Sequence, residues 1–370
     1  PYGLVGKDNL KAGLDSFLSL TQEMGLDYQG NFSQNWLLPS GVGAIHPTCL
    51  APGSLVKGDF KSGKSMLIVG FRELRDFYPS LISQNINEQD LGVKTGHMSL
   101  DLYIPLSNKE NATPMELAKA FEQSGFRGEV AKAVKKEAKA YDRVGFPAAL
   151  GLRKHKEVVT DLEKQLGRPV FEISALPPSV PGRRLYETFK KALLDAGGQL
   201  IVGSKVVDGT IEDGQVSHIQ YETSNRLKTI KAHNYVLATG GIFGGGLHAG
   251  ANGQVTETIF NLPVAADSNR HRWFEQKFIS KQGQPVFNFG LTANSQLQPT
   301  NNGGEALAGN LFVAGAALAG SEWAKGRTGD GVARFAHVTA PEPRGKEREV
   351  VDQLRIQTDQ LEDGRQIAKA

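Results

Sequence analysis

Apolar residues recur at helical spacing over positions 10–25, where Leu10, Leu14, Phe17, Leu18 and Met24 share a face and Gly25 closes it. Positions 26–63 are rich in Gly, Pro and Ser and read as irregular or short-stranded. Residues 65–71 (SMLIVGF) form a short apolar run, the mark of a buried strand. A helix is expected over 72–87 despite Pro79, and alternation predicts a strand over 97–104. Thr113 can cap a helix opening at Pro114, a favoured first helical residue. Helical spacing with a charged outer face continues over 121–141, and 144–151 reads as another short buried strand.

From residue 176 the pattern sharpens. Positions 182–196 predict an amphipathic helix with Leu185, Phe189, Ala192 and Leu193 on one face, ended by Gly197 and Gly198. A strand is expected over 199–207, and Asp213-Gly214 signals a hairpin between short alternating strands. A last strand over 234–238 (NYVLA) runs straight into Thr239, Gly240 and Gly241. There is no internal repeat. The lysine-rich stretch 131–140 reads as a solvated helix face, with a docking face for a partner or acidic lipid as the alternative. Positions 334–370 mix both charges with few large apolar residues and read as a solvated helix or a disordered tail.

Composition narrows the class. A length of 370 residues allows two domains or one large α/β domain, and 39% hydrophobic residues supply a sizeable core. Glycine, at 43 of 370, is well above the roughly 7% of an average protein, so it belongs to turns or to close backbone approaches. The net charge of +3 lacks the concentrated basic face of a nucleic-acid binder. The single cysteine, Cys49, permits no intrachain disulfide and cannot supply the roughly four thiolates of an iron–sulfur cluster. It also fits a reducing compartment. No apolar run approaches ~18 residues, and no signal peptide is expected. The chain begins at Pro1 and not Met, inside the approach to a helix, which suggests that the true N-terminus is missing.

One motif is rejected on context. Residues 58–65 (GDFKSGKS) match the phosphate-loop pattern letter for letter. Such a loop follows a strand and opens a helix, whose N-terminal N–H groups then meet the phosphates. Here the apolar strand comes after Lys64 and Ser65, so the segment reads as a polar loop entering a strand.

Three glycine clusters lie in an informative order. Gly240 and Gly241 let the chain turn beneath a bulky cofactor without a Cβ clash. Gly315 ends the strand LFVA, where bare backbone can face a cofactor's sugar or pyrophosphate. Gly329, Asp330 and Gly331 precede an expected helix start at Val332, placing free N–H groups near an atom that gains negative charge. A flavin gains such charge at its N1–C2=O locus on reduction.

Over about 170–332 the chain resembles flavoproteins of the two-dinucleotide-binding type, and more closely the B-subunit family of anaerobic glycerol-3-phosphate dehydrogenases. The residues that carry the resemblance are 176–180 (LPPSV) with Gly182, Arg184 and Leu185, then 236–241, Phe243 and 245–247. Further on come 289–292 (FGLT), Pro299, 310–315 and Gly320, and the strand 66–71 also fits. Over 1–169 the resemblance is diluted. It implies an α/β, Rossmann-like FAD/NAD(P)-binding flavoprotein fold, incomplete, with an inserted α/β subdomain. The divisions would be an inserted or substrate-side region at 1–169, a flavin-binding portion at 170–333 and the charged tail at 334–370. A strand and Gly-rich pyrophosphate loop of such proteins is absent, so a segment of roughly 80 residues is expected ahead of Pro1; that length rests on the resemblance and not on domain size.

The implied cofactor is a flavin, FMN by the family's assignment or FAD by fold type. Its contacts would be Thr239, Gly240, Gly241, Gly315, Gly329, Asp330 and Gly331, with Arg184 matching the family pattern. The implied activity is oxidation of sn-glycerol 3-phosphate to dihydroxyacetone phosphate, with electrons passing to a quinone. The implied partners are a catalytic flavoprotein, the A subunit, and an iron–sulfur membrane anchor, the C subunit. They would hold the chain on the cytoplasmic face of the inner membrane. Several positions depart from the family. Asn294 and Gln298 stand where relatives often carry Asp and Arg, Ala316 stands at a frequent acidic ribityl ligand, and Pro341 and Pro343 break the expected closing helix.

Alcohol oxidation needs a base for the hydroxyl proton and cations for the phosphate. His248 and His271 are the histidines near the flavin-type motifs; the eight histidines show no metal spacing, and no catalytic base is assigned. Arg183 reads as solvated. Three other readings stay open: a non-catalytic flavin-fold scaffold in the same complex, another flavin-dependent oxidoreductase, and a phosphate-loop nucleoside triphosphatase.

Overall fold

The computed structural model describes residues 2–105, 111–224, 226–277 and 283–321. It divides into two compact units, one of residues 21–191 and one of 1–20 with 192–370. Compactness therefore divides the chain elsewhere than at the expected 169/170 border, because the strand that begins at Val170 pairs into the first unit's sheet.

Helix α1 (Lys7–Glu23) buries Leu14 and Phe17, two of the residues that predict it. In the 21–191 unit, β1 (Tyr28–Gly30), β2 (Trp36–Pro39), β3 (Ile45–Thr48) and β4 (Leu50–Pro52) form two small antiparallel pairs, β1 with β4 and β2 with β3. The body of the unit then alternates strand and helix. Its elements are β5 (Ser65–Phe71), α2 (Pro79–Glu88), β6 (Lys94–Leu100), α3 (Pro114–Phe121), α4 (Ser124–Ala138), β7 (Arg143–Pro147), α5 (His155–Leu166), β8 (Val170–Ile173) and α6 (Val180–Asp195). The four strands run parallel in the order β6-β5-β7-β8. Helical crossovers are what parallel pairing requires, and they explain the unbroken apolar run of β5. Met66, Leu67, Ile68 and Val69 have no exposed surface. Phe71, Phe121, Phe126 and Phe146 pack edge-on or stacked in the same core.

Several boundaries move for local reasons. Helix α2 starts at Pro79, its first helical residue, and not at 72, because a proline that cannot donate sits best in the first turn. The helix expected over 121–141 is Ser124–Ala138, set off from Pro114–Phe121 by Gln123, whose backbone is extended. The strand expected over 97–104 is Lys94–Leu100, and the one expected over 144–151 ends at Pro147. Helix α5 and strand β8 carry no clear sequence signal. In α5 the buried Val158, Val159, Leu162 and Leu166 are interleaved with charges, and in β8 Glu172 interrupts the apolar run.

In the other unit, β9 (Val206–Glu212), β10 (Gln215–Thr223) and β11 (Arg226–Ile230) form the expected meander. Asp213 and Gly214 both have positive φ, 49° and 72°, the turn whose twist matches a hairpin. The strand expected from 199 starts only at Val206, since Gly203 takes a left-handed conformation ahead of it. Strands β12 (Tyr235–Leu237), β13 (Leu247–Ala249), β14 (Val255–Glu257) and β15 (Leu311–Val313) complete the described part. β12 and β15 run parallel, with Tyr235 beside Leu311 and Leu237 beside Val313. Leu237, Leu291, Leu297, Leu311 and Val313 form the core around this pair.

The cap at Thr113 is a full capping box: its Oγ1 accepts the Glu116 N–H at 3.2 Å, and the Glu116 carboxylate accepts the Thr113 N–H at 2.7 Å. Thr113→Ala is expected to lower stability by about 1 kcal/mol in urea unfolding, and Thr113→Ser to retain most of it.

Candidate functional site

The site starts from two strand ends. β12 and β15 point their carboxyl ends the same way, and in parallel α/β sheets that is where ligands gather. Beyond β12 the chain coils tightly. Leu247, Gly246 and Gly244 all donate to the Gly241 carbonyl, at 3.4, 3.2 and 3.1 Å. Gly240 has φ +84°, and a Cβ on Gly246 would collide with the Gly240 carbonyl. A Cβ on Gly241 would sit 3.0 Å from the Ala316 carbonyl oxygen. Beyond β15, the Ala314 N–H donates to Leu237 at 2.9 Å, and Gly315 turns with φ +70°. The structure therefore brings Thr239, Gly240, Gly241 and Gly315 to one place. Gly329, Asp330 and Gly331 lie outside the described residues.

A cavity of ≈ 130 Å³ opens beside this loop. Val236, Ala238, Thr239 and Gly245 line it together with residues 258–260, Ile219 and Tyr221. The lining is mainly apolar, and Lys205 is its one Lys, Arg, Asp, Glu or His among the described residues. Among the described residues β12 pairs only with β15, and Val236 on its other side is 40% exposed. Side-chain-free backbone at two strand ends beside an apolar cleft fits the flat and sugar-phosphate parts of a flavin nucleotide. Neither His248 nor His271 lines the cleft, and both are exposed.

Arg184 is engaged within its own unit. It lies in the 21–191 unit as a buried structural cation. Nη1 and Nη2 grip Glu172 at 2.8 Å each, and Nε donates to the Gly151 carbonyl at 2.8 Å. Glu172 has no exposed surface and also accepts from Ser54 Oγ and Leu150 N–H. Burial alone would raise the Glu172 carboxyl, but the charge and hydrogen bonds of Arg184, with His155 and Leu150 N–H, outweigh it and hold it at about 2. A guanidinium so engaged is a packing element of this unit.

The phosphate-loop look-alike is what its context implies. Lys64 and Ser65 donate their backbone N–H groups to the Asp142 carboxylate at 2.8 and 2.9 Å, so the groups a phosphate would use are taken. Asn294 and Gln298 bond to each other as amides, Nδ2 to Oε1 at 2.9 Å, and close a turn in which Leu297 is buried with φ +66°. The lining segment 258–260 has no sequence signal; only the fold brings it to the cleft that Ala238 and Thr239 also line. Among the described residues no cluster of His, Cys, Asp or Glu could hold a metal, and no helix is long and apolar enough to cross a membrane.

These strand ends, glycine turns and the inserted parallel sheet define a Rossmann-like flavoprotein. Residues 1–332 match the FAD binding domain family. A Halobacterium salinarum protein described as the probable B subunit of an anaerobic glycerol-3-phosphate dehydrogenase is 30% identical over 90% of this chain and 78% of its own length. Proteins described as B subunits of anaerobic glycerol-3-phosphate dehydrogenase from Aliivibrio fischeri and Actinobacillus pleuropneumoniae are 28% and 26% identical, over 90% and 93% of this chain and 77% and 82% of theirs. No solved structure matches. The chain belongs to the FAD binding domain family and, within it, to the B-subunit family of anaerobic glycerol-3-phosphate dehydrogenases. The cofactor type of the matched family is FAD, so the expectation of FMN finds no support.

The carboxyl of Glu172 is lower folded than unfolded, so its stabilising contribution is present above the ordinary carboxylate range and is lost as pH falls toward about 2. Arg184→Met is expected to cost about 3–5 kcal/mol at neutral pH, because it strands a buried carboxylate. Urea unfolding at neutral and acid pH measures it. Weaker flavin binding with unchanged unfolding would return Arg184 to the cofactor.

Proposed function

We propose that this chain is the B subunit of a quinone-linked anaerobic glycerol-3-phosphate dehydrogenase. Its complex oxidises sn-glycerol 3-phosphate to dihydroxyacetone phosphate and delivers the electrons to a quinone. The observation that carries the reading is the bare glycine turn at the shared carboxyl end of β12 and β15, in a chain whose relatives bear this name. FAD is the cofactor we assign, and when bound it accepts the electron pair of the alcohol carbon. Thr239, Gly240, Gly241 and Gly315 would hold it by backbone approach, and the Val236 side of the cleft would exclude water. Gly329, Asp330 and Gly331 extend the same assignment.

Partners follow from chemistry. The one cysteine among these 370 residues cannot by itself ligate an iron–sulfur cluster, and we place the path onward to quinone in another protein chain. We assign it to an iron–sulfur C subunit at the cytoplasmic face of the membrane, and the main site of substrate oxidation to a flavoprotein A subunit. A second reading, a flavin-fold scaffold without redox chemistry, is favoured by one observation: among the described residues, no His, Asp or Glu lines the cleft.

The assembled complex decides between them. The expected result is a flavin bound to this chain and bleached by glycerol 3-phosphate under anaerobic conditions. Gly240→Val is expected to remove that flavin and cut quinone reduction at least tenfold while the complex stays assembled. Undiminished activity in that variant supports the scaffold, and a wild-type chain that carries no flavin ends the redox reading.

A further inference from the structure

The glycine turn is held from outside by a segment that contributes no chemistry of its own. Strand β14 ends in Glu257, whose side of the strand is buried, with the residue 3% exposed. Its carboxylate folds back on the chain that follows. Oε1 accepts the Ile259 N–H at 2.8 Å, and Oε2 accepts the Phe260 N–H at 2.7 Å. The N–H groups of Asn261 and Leu262 also point to it. Among the described residues no cation pairs with this carboxylate, so backbone dipoles alone compensate its burial. Burial raises its carboxyl above the ordinary value even so.

The turn it ties down touches the glycine loop directly. The Thr258 N–H donates to the Gly246 carbonyl at 3.2 Å, and Thr258 Oγ1 is shared between the Gly245 and Gly246 carbonyls at 3.2 and 3.3 Å. On its other side the turn is anchored to β9, where Gly209 N–H donates to the Ile259 carbonyl at 3.1 Å and the Phe260 ring covers the bare Gly209 Cα. Thr258, Ile259 and Phe260 then line the same cleft as Ala238 and Thr239. Consecutive glycines have the largest conformational freedom of any sequence, and five of the seven residues at 240–246 are glycine, so the loop needs such an external hold.

We propose that Glu257 and Thr258 form a clamp that positions the 239–246 glycine loop for the flavin. Glu257 sets the turn through its carboxylate, Thr258 passes that geometry to Gly245 and Gly246, and both are positioning residues and not catalytic ones. The assignment rests on the flavin reading above and deepens it. A carboxylate offers acceptors on both oxygens, whereas a glutamine turns an NH2 group toward one of the backbone donors. Thr258→Val keeps shape and branching and removes only the hydroxyl.

The test measures flavin release from the purified complex by the fluorescence of freed cofactor, beside hydrogen exchange at the Gly244 and Gly246 amides. Thr258→Val is expected to speed release about five-fold, the equivalent of one hydrogen bond. Its unfolding midpoint should stay near wild type, and Thr258→Ser should restore the wild-type rate. Glu257→Gln is expected to speed release more, by about tenfold, and to loosen both amides. Should Glu257→Gln fail to fold, Thr258→Val carries the test. Wild-type release rates and protected amides in Thr258→Val overturn the clamp. A wild-type chain without flavin overturns the flavin reading instead. In that case unchanged exchange at Gly244 and Gly246 in Thr258→Val also overturns the clamp, and faster exchange upholds its mechanical half.

Discussion

Where β12 and β15 end, backbone packs on backbone with no side chain between. A Cβ on Gly241 would press on Ala316, one on Gly246 would strike Gly240, and one on Gly290 would strike the chain at Leu318 and Ala319. This constraint explains a large part of what the chain does with its glycines. Two strands of three residues each make a weak ladder by themselves. They hold because the turns that leave them wrap back against each other and against a core of Leu237, Leu291, Leu297, Leu311 and Val313. The same bareness that lets the turns interlock leaves the strand ends open to a flat ligand, so packing and binding make one demand on these positions.

The 21–191 unit solves a different problem. Three of its four parallel strands, β5, β7 and β8, are buried along nearly their whole length, and the edge strand β6 is partly exposed. Its specific element is the Glu172–Arg184 pair, which sits at the end of β8 and the start of α6 and fixes Ser54, Leu150 and Gly151 around it. An apolar pair would stabilise as well in principle. Only a two-pronged ion pair fixes which groups meet, and here it joins four separate stretches of chain, at Ser54, at Leu150 and Gly151, at Glu172 and at Arg184.

What the sequence made legible follows from locality. The run at β5, the cap at Thr113, the Asp213-Gly214 hairpin and the glycines after β12 each depend on residues within a few positions, and each stands where the pattern places it. What was not legible depends on distance. β8 contains a charge that looks wrong for a buried strand until Arg184 is found against it. For the same reason Arg184 looks like an anion contact, since nothing local says that its anion is Glu172. Thr258 and Glu257 carry no motif at all, because their role exists only once β9 and the glycine loop lie on either side of them.

A single device recurs through both units and bears on where a phosphorylated ligand can be held. Carboxylates of this chain take up the backbone donors of its own loops. Glu122 accepts from Leu152 and Lys154, Asp142 from Lys64 and Ser65, Glu257 from Ile259 and Phe260. Bonds from Lys64 and Ser65 hold the Asp142 carboxyl below its ordinary value, so it stays ionised at neutral pH. Each such loop would otherwise be a ready cradle for a phosphate. The loop that matches a phosphate-binding motif letter for letter is therefore an anion site already filled from within. By contrast the glycine turn beyond β12 has no carboxylate seated in it among the described residues: its own Gly241 carbonyl accepts from Gly244, Gly246 and Leu247, and Glu257 binds the next turn. Self-filled loops occur in both units, and what sets the strand-end turn apart is bare backbone beside an apolar cleft, the ground of the flavin site proposed above.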